Sequence, residues 1–160
     1  MAVDMFIKIG KLKGESQDSK HKDEIDVLAW SWGASQSGTF HMGGGGGAGK
    51  ANFQDLSLTK FIDKSSPDLM TLVANGDHVD MAELVVRKAG KKPLEYITIQ
   101  MKKCMVTSVA IGGSGGEDRL TENITLNFAA VKVKYIEQTD TGGEGAKPEF
   151  SWDIASNTAG

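Results

Sequence analysis

The sequence predicts a mainly β fold, in which many antiparallel strands are accompanied by one inserted helix. Short stretches with alternating apolar and polar residues recur along the 160-residue chain, and this period of two is typical of strands. A single stretch near residue 70 carries helix start and stop signals instead. Glycine is the compositional outlier, at 20 residues, whereas proline occurs three times. The length suits one domain, and we expect residues 1–160 to form it.

The first strands come before the glycine-rich segment. "DMFIKIGKLKG" opens with a short strand, and "EIDVLAWSWGAS" follows it. In the second strand the alternation places Leu28, Trp30 and Trp32 on one face and Ser31 on the other. We expect the first face to fill the core, where truncation of either tryptophan would cost about 3–5 kcal/mol. Other predicted core residues are Leu126 and Phe128.

The later strands are predicted from "NFQDLSLTKFI", "MAELVVRKA", "LEYITIQMKKCMVTSVAI", "NITLNFAAVKVKYIEQ" and "FSWDI". In the fourth of these the apolar residues change parity at Ala129–Ala130. Two explanations fit this pattern equally. The strand has a β-bulge or a sharp bend there, or it is buried on both faces.

The helix is predicted over about residues 67–75, in "DKSSPDLMTLVANGD". Ser66 is the predicted N-cap, and Pro67 then occupies the first helical position. Asp68 lies in the first turn, where the helix dipole favours an anion. Gly76 is a natural stop. We expect the apolar stripe of this helix to pack on the sheet.

Charge and cysteine content exclude several classes of function. The net charge is −3, from 18 basic and 21 acidic residues, and only Arg87 and Arg119 are arginines. Nucleic-acid binding depends on clustered positive charge, whereas the lysines here alternate with acids. We therefore expect no nucleic-acid partner. Cys104, the single cysteine, is predicted to be a buried or half-buried thiol.

No catalytic, metal or cofactor site is predicted. Residues 44–50 resemble a phosphate-binding loop, but Ala51 replaces the required Ser or Thr, and a strand-like segment follows. "GGSGG" around Ser114 matches the nucleophile-elbow pattern, yet no histidine follows it. The three histidines are far apart, which does not suggest a zinc site, and His21 and His78 are expected to be exposed.

The extended loop, about residues 35–51, has a high ordering cost. Fixing Gly43–Gly49 would cost on the order of 10 kcal/mol, because glycine loses the most backbone freedom. Either the segment is a flexible tether, or a protein partner immobilises it, and we favour the second. The predicted docking residues are Phe40, His41, Met42, Gly43, Gly44, Gly45, Gly46, Gly47, Ala48, Gly49 and Lys50.

The sequence predicts neither a secretory leader nor a membrane span. No charged-then-apolar leader opens it, and no apolar run approaches the ~20 residues that span a bilayer. We expect a cytoplasmic protein that inserts in no membrane and that, if exported, leaves by a route that reads no amino-terminal signal.

Four stretches strongly resemble the hemolysin-coregulated protein family, the inner-tube subunits of bacterial type VI secretion systems. These are "MAVDMFIKIGKLKGES", "IDVLAWSWGASQSG", "HMGGGGGAGKANFQDLSLTKFIDKSSPDLM" and "GGSGGEDRLTENITLNFAAVKVKY". The likeness runs from Met1 to about Tyr135 and is weakest over residues 140–160. It implies a compact barrel of two antiparallel sheets with one flanking helix and an extended glycine-rich loop.

The resemblance also implies a structural, secreted protein. Six copies would form a ring, and rings would stack into a hollow tube inside a contractile sheath, with a spike at its tip. The extended loop would contact the adjacent subunit or ring, and small effector proteins would bind in the lumen. Ser31 is then a candidate for the lumen or for a subunit contact. The alternatives are a monomeric β-barrel that binds a small molecule or glycan, and a phosphate-binding enzyme.

Overall fold

The computed structural model describes residues 3–38, 40 and 49–160. In these residues there are ten strands and one helix. In chain order they are β1 (Val3–Ile9), β2 (Ile25–Ser31), β3 (Ala34–Ser35), β4 (Asn52–Phe53), β5 (Leu56–Phe61), α1 (Ser66–Asn75), β6 (His78–Lys88), β7 (Leu94–Gly112), β8 (Thr121–Tyr135), β9 (Glu149–Asp153) and β10 (Thr158–Ala159).

Six strands close into an antiparallel barrel. Their order around the wall is β8, β5, β2, β1, β6 and β7, and the pairing of β7 with β8 closes the circle. Strands β9 and β10 extend the sheet from β8, and β3 and β4 form a separate two-stranded ribbon. Closure leaves the six strands without a free edge. The mainly β barrel with one flanking helix is therefore confirmed.

The barrel interior is apolar, but strand β2 contributes to it differently from the prediction. Leu126 and Phe128 are buried, whereas Leu28 is 41% exposed, so its assignment to the core is wrong. The pairing of β2 with β5 shifts register after Val27, and this irregularity turns Leu28 outward. The two tryptophans of this region are half-buried at the margin of the core rather than inside it: Trp30 and Trp32.

The change of parity in β8 is visible in its burial pattern and coincides with a backbone irregularity on the neighbouring strand β7. Buried positions shift from even to odd numbers around Ala129–Ala130. Opposite this point, Lys103 on β7 has a left-handed backbone (φ 54°), and the β7–β8 register stays constant there. A residue in this conformation reverses the alternation of a strand without inserting an extra residue. The register shift between these strands lies elsewhere, between Val106 and Ser108.

The helix α1 packs against β7 and ends as predicted. Gly76 has a left-handed backbone (φ 71°), and its N–H donates to the Leu72 carbonyl at 3.0 Å. The N-cap position belongs to Ser65, not Ser66 as predicted, and no side chain caps the helix. The Ser66 hydroxyl is used instead in a buried cluster. This helix is too short to cross a membrane, and the part of the chain that the structure describes contains no membrane-spanning helix.

That cluster of buried charges joins the helix to the barrel wall. Lys60 on β5 and Glu122 on β8 are cross-strand partners, their side chains are completely buried, and they form an ion pair. The Lys60 ammonium also donates to the Phe61 carbonyl at 2.9 Å and to Asp63 at 3.1 Å. The Ser66 hydroxyl donates to Glu122 at 2.6 Å. A buried pair needs such additional hydrogen bonds to offset its desolvation.

Candidate interaction surfaces

The predicted loop is held at its base by the β3–β4 ribbon. Ala34 and Phe53 are paired across it, and next to this pair the Gln54 N–H donates to the Gly33 carbonyl at 2.9 Å. The Trp32 indole N–H donates to the Gln54 carbonyl at 2.8 Å. Both ends of the loop are therefore fixed to the same point on the barrel.

Aromatic contacts connect this base to the core. The Trp32 ring lies 5.9 Å from Phe53 and 6.1 Å from buried Phe128, between ring centres. Phe53 in turn stacks on Phe150 at 6.4 Å. Such pairs contribute about 0.5–1.5 kcal/mol each beyond the area they bury. The half-buried Trp32 thus has a defined role as the anchor of the loop.

Three of the eleven predicted docking residues, Phe40, Gly49 and Lys50, belong to the described part of the chain. His41, Met42, the five glycines Gly43–Gly47 and Ala48 lie outside the described residues. Phe40 is 85% exposed, and Gly49 and Lys50 are exposed as well. A phenylalanine so exposed on a described part of the chain is available for contact with another surface.

A second surface is formed by the outward side chains of β2, β5, β8 and β7. Ser31 is exposed there and pairs in register with Ser57, which pairs with Thr125, which pairs with Ser108. Four hydroxyl residues therefore cross four strands in one row, over three strand spacings, or roughly 14 Å. Together with their neighbours they form what we call the polar face: Ser31, Asp55, Ser57, Thr59, Thr107, Ser108, Asn123, Thr125 and Asn127.

Hydrogen bonds link one half of the polar face to a single carboxylate. Oγ of Ser108 lies 2.7 Å from Oγ1 of Thr125, which lies 2.6 Å from Oγ1 of Thr107. Thr107 donates to Asp55 at 2.8 Å, and the Asn127 amide donates to the other Asp55 oxygen at 2.8 Å. Each hydroxyl has one hydrogen to donate, so these hydrogen bonds can run in one direction from Ser108 to Asp55. The Asp55 carboxylate at the end only accepts hydrogen bonds.

The other half of the polar face has unused hydrogen-bonding capacity. Thr59 donates to Asn123 at 2.7 Å. Ser31 and Ser57 make no side-chain hydrogen bond with any residue that the structure describes. Asp55 is the only charged member of the face. This surface can therefore offer neutral donors and acceptors to a partner without a strong electrostatic preference.

Sequence reasoning found Ser31 and missed the rest of this surface. The alternation in "NFQDLSLTKFI" and "NITLNF" already places polar side chains on one side of each strand. Which strands lie beside β2, and in which register, depends on pairing between distant parts of the chain. The single signal that could have helped is the lack of charge along these outward positions.

Three further groups in the described part of the chain were singled out by the sequence: Cys104, His21 and His78. Cys104 is buried, as predicted, and burial raises the pKa of its thiol to about 11. His78 is exposed, but His21 is buried, which contradicts the prediction of an exposed side chain. Across residues 3–38, 40 and 49–160, no three His, Cys, Asp or Glu side chains are grouped so that they could hold a metal ion.

Known type VI secretion proteins are similar to this chain over nearly its whole length. The family model described as "Type VI secretion system effector, Hcp" matches residues 6–135. Protein hcp1 of Pseudomonas aeruginosa is 60% identical over 159 residues, which cover 98% of each chain. A solved type six secretion system protein is 31% identical with a TM-score of 0.93, over 98% of this chain and 99% of that one. Hcp1 from Salmonella typhimurium is 33% identical with a TM-score of 0.81, over 99% of each chain.

Proposed function

The chain belongs to the Hcp family of type VI secretion system proteins, and from this premise we propose that it is the structural subunit of a secretion tube. Six copies form a ring, rings stack into a hollow tube, and the tube is secreted with effectors in its lumen. The subunit is structural rather than catalytic. Its partners are further copies of itself, the spike protein, the contractile sheath and small effector proteins.

The polar face is the surface we assign to the lumen, and it is the observation that carries this part of the proposal. A channel wall that passes folded cargo must stay hydrated and must not hold the cargo tightly. Neutral hydroxyl and amide groups meet both needs, because they bind water well and exert no strong field. Large exposed apolar patches would instead bind partners durably.

Ser31 and Ser57 are the proposed contacts to cargo within that face. Their hydroxyls are uncommitted among the described residues, whereas Thr125 and Thr107 already donate inside the chain. A partner that bonds to a committed hydroxyl must first break an internal bond. Contacts at Ser31 and Ser57 require no such exchange.

The glycine-rich loop is the proposed contact between subunits or rings. Its base is fixed by the β3–β4 ribbon and by Trp32, and Phe40 is exposed beside it. Backbone N–H and C=O groups without side chains permit close approach to a partner surface. We expect proteolysis at residues 43–49 to be fast in isolated subunits and slow in stacked rings, as measured by limited digestion and mass spectrometry.

Native mass spectrometry and negative-stain imaging of the purified chain test the assembly. A hexameric mass and an annulus with a central hole are expected. A strictly monomeric protein at every concentration would contradict the proposal and would favour the alternative, a monomeric barrel that binds a small molecule or glycan. A stabilising shift in Tm on addition of ATP and Mg²⁺ would instead favour the phosphate-binding alternative.

A substitution at Ser31 tests the lumen assignment. Ser31→Gln places a longer side chain on the polar face, and we expect it to reduce effector protection or ring formation. The matched control is Ser19→Gln, which makes the same change at an exposed serine in the connection between β1 and β2. If Ser31→Gln leaves both effector protection and ring formation unchanged, Ser31 does not lie at either surface.

A further inference from the structure

The connection between β1 and β2, residues 10–24, is a folded segment rather than an open loop. The Gly14 N–H donates to the Asp23 carbonyl at 2.7 Å, and the Ser16 N–H donates to the Glu24 carbonyl at 3.0 Å. The two arms approach so closely that a Cβ on Gly14 would lie 2.5 Å from the Glu24 carbonyl oxygen. The two arms of this segment are therefore bonded to each other, and contacts from both its backbone and its side chains fix it to the barrel.

Two ionic contacts hold the segment to different strands, and two hydrogen bonds add to them: the Gly10 N–H donates to the Met81 carbonyl at 2.9 Å, and the Lys64 N–H donates to Glu15 at 2.7 Å. Asp18 accepts hydrogen bonds from both terminal nitrogens of Arg87 on β6, at 3.1 and 2.5 Å. The Arg87 guanidinium keeps the pKa of Asp18 well below its usual range, so this contact persists across ordinary pH. The second contact is made by His21, which reaches Glu95 on β7.

The buried His21 ring lies between two carboxylates. Its Nδ1 is 2.9 Å from Glu24 and its Nε2 is 2.6 Å from Glu95, while its face stacks on Phe6 at 4.5 Å. A neutral imidazole has one N–H, so two ionised carboxylates are both satisfied only by the imidazolium. Burial lowers the pKa of His21, but the hydrogen bonds to Glu95 and Glu24 outweigh it and leave that pKa raised.

We propose that His21 is a proton-dependent latch that fastens the 10–24 segment to β7. In the imidazolium form both hydrogen bonds are made. Loss of the proton leaves one donor for two carboxylates. Glu24 stays beside the ring because it belongs to the same segment, whereas Glu95 reaches the ring from β7. The contact with Glu95 is then weakened, while the Asp18–Arg87 ion pair and the hydrogen bonds of Gly10 and Glu15 still hold the segment.

The charged groups around the latch do not replace this contact. Besides Glu24 and Glu95, they are Glu15 and Asp18 on the same segment, Asp4 on β1, Asp26 on β2, Arg87 on β6, and Arg119 just before β8. Arg87 is already bonded to Asp18 and to Asp4, the latter at 3.1 Å. The imidazolium of His21 is therefore the cation of the segment that contacts Glu95.

The test is a histidine titration by NMR on the full chain labelled at the imidazole carbon, with His21→Gln to assign the signal. We expect the His21 midpoint to lie above its ordinary pKa of about 6.5. Glu95→Gln is expected to lower the midpoint by about one pH unit or more. Asp18→Asn is the matched control, because it loosens the same segment without removing a partner of the imidazole.

Hydrogen exchange supplies the structural readout. Protection of the amides of residues 15–24 is expected to fall between about pH 5.5 and about pH 8.5, on either side of the ordinary pKa. In Glu95→Gln this pH dependence is lost, and in Asp18→Asn it remains. The latch is excluded by a wild-type midpoint at or below the ordinary value, or by equal protection at both pH values. The titration of the wild type decides the question even if a variant does not fold.

Discussion

The two faces of the barrel wall formed by β5 and β8 differ in the burial and the charge of their polar side chains. The inward side chains of β5 and β8 include Leu56, Leu58 and Leu126, which are apolar. The polar exception on this inner face is the completely buried Lys60–Glu122 pair. The outward positions that alternate with these residues carry a hydroxyl or an amide. The inner face buries its charge at a cost that several hydrogen bonds must offset, and the outer face carries almost no charge. We therefore expect stability to depend mainly on the inner face, and the outer face is the one that we propose for contact with partners.

The largest expected effect comes from breaking the buried pair. Lys60→Met removes the cation and leaves Glu122 buried, with the Ser66 hydroxyl as its remaining donor among the residues described. An uncompensated buried charge costs about 3–5 kcal/mol. Urea denaturation followed by circular dichroism measures the loss in the free energy of unfolding.

The double variant Lys60→Met/Glu122→Leu is the control for this prediction. Replacing both charges by apolar groups is expected to restore most of the lost stability, because no buried charge then remains unpaired. If the single variant is as stable as the wild type, or if the double variant is less stable than the single one, the inner face does not depend on this pair as inferred.

Neighbouring positions on β8 provide a direct comparison of the two faces. Leu126→Ala opens a cavity in the core and should cost about 2–5 kcal/mol. Thr125→Ala on the outer face removes the hydrogen bonds to Thr107 and Ser108 and should cost only about 1 kcal/mol. Equal losses, measured by urea denaturation, would show that the polar face contributes to stability as the core does.

Substitution of Trp32, which anchors the loop, should reduce the free energy of unfolding by an intermediate amount. Trp32→Phe keeps an aromatic ring beside Phe53 but removes the hydrogen bond to the Gln54 carbonyl, which costs about 1 kcal/mol. Trp30→Phe is the matched control, since Trp30 is also half-buried. Unfolding of both variants in urea separates them, and equal losses would argue against the anchoring role of the indole N–H.

The smallest expected effect is the dependence of stability on pH through His21. Its pKa is raised in the folded chain, so its stabilisation is fully present below the ordinary value of about 6.5 and is lost as the pH rises through the folded value. The urea midpoint of the wild type, relative to that of His21→Gln, should therefore decline over this range. A constant difference between the two would show that His21 does not titrate with folding.

Local patterns in the sequence determined the strands, the helix and part of the barrel core. Pro67 and Gly76 bracket the helix within one residue of its observed bounds, because both act through their own backbone geometry. Buried Leu126 and Phe128 follow from a period of two, which is a property of any pleated strand. The resemblance in four stretches was sufficient to identify the family, and the matched region, residues 6–135, confirms it.

The tertiary structure alone decided where the alternation breaks and which strands meet. Leu28 is exposed because β2 slips against β5, a strand more than 25 residues away. Ser31 joins the polar face, and His21 reaches Glu95 across 74 positions, only after the barrel closes. Side-chain periodicity is set by each residue's own backbone, whereas register and burial depend on pairing between distant segments, which no local pattern encodes.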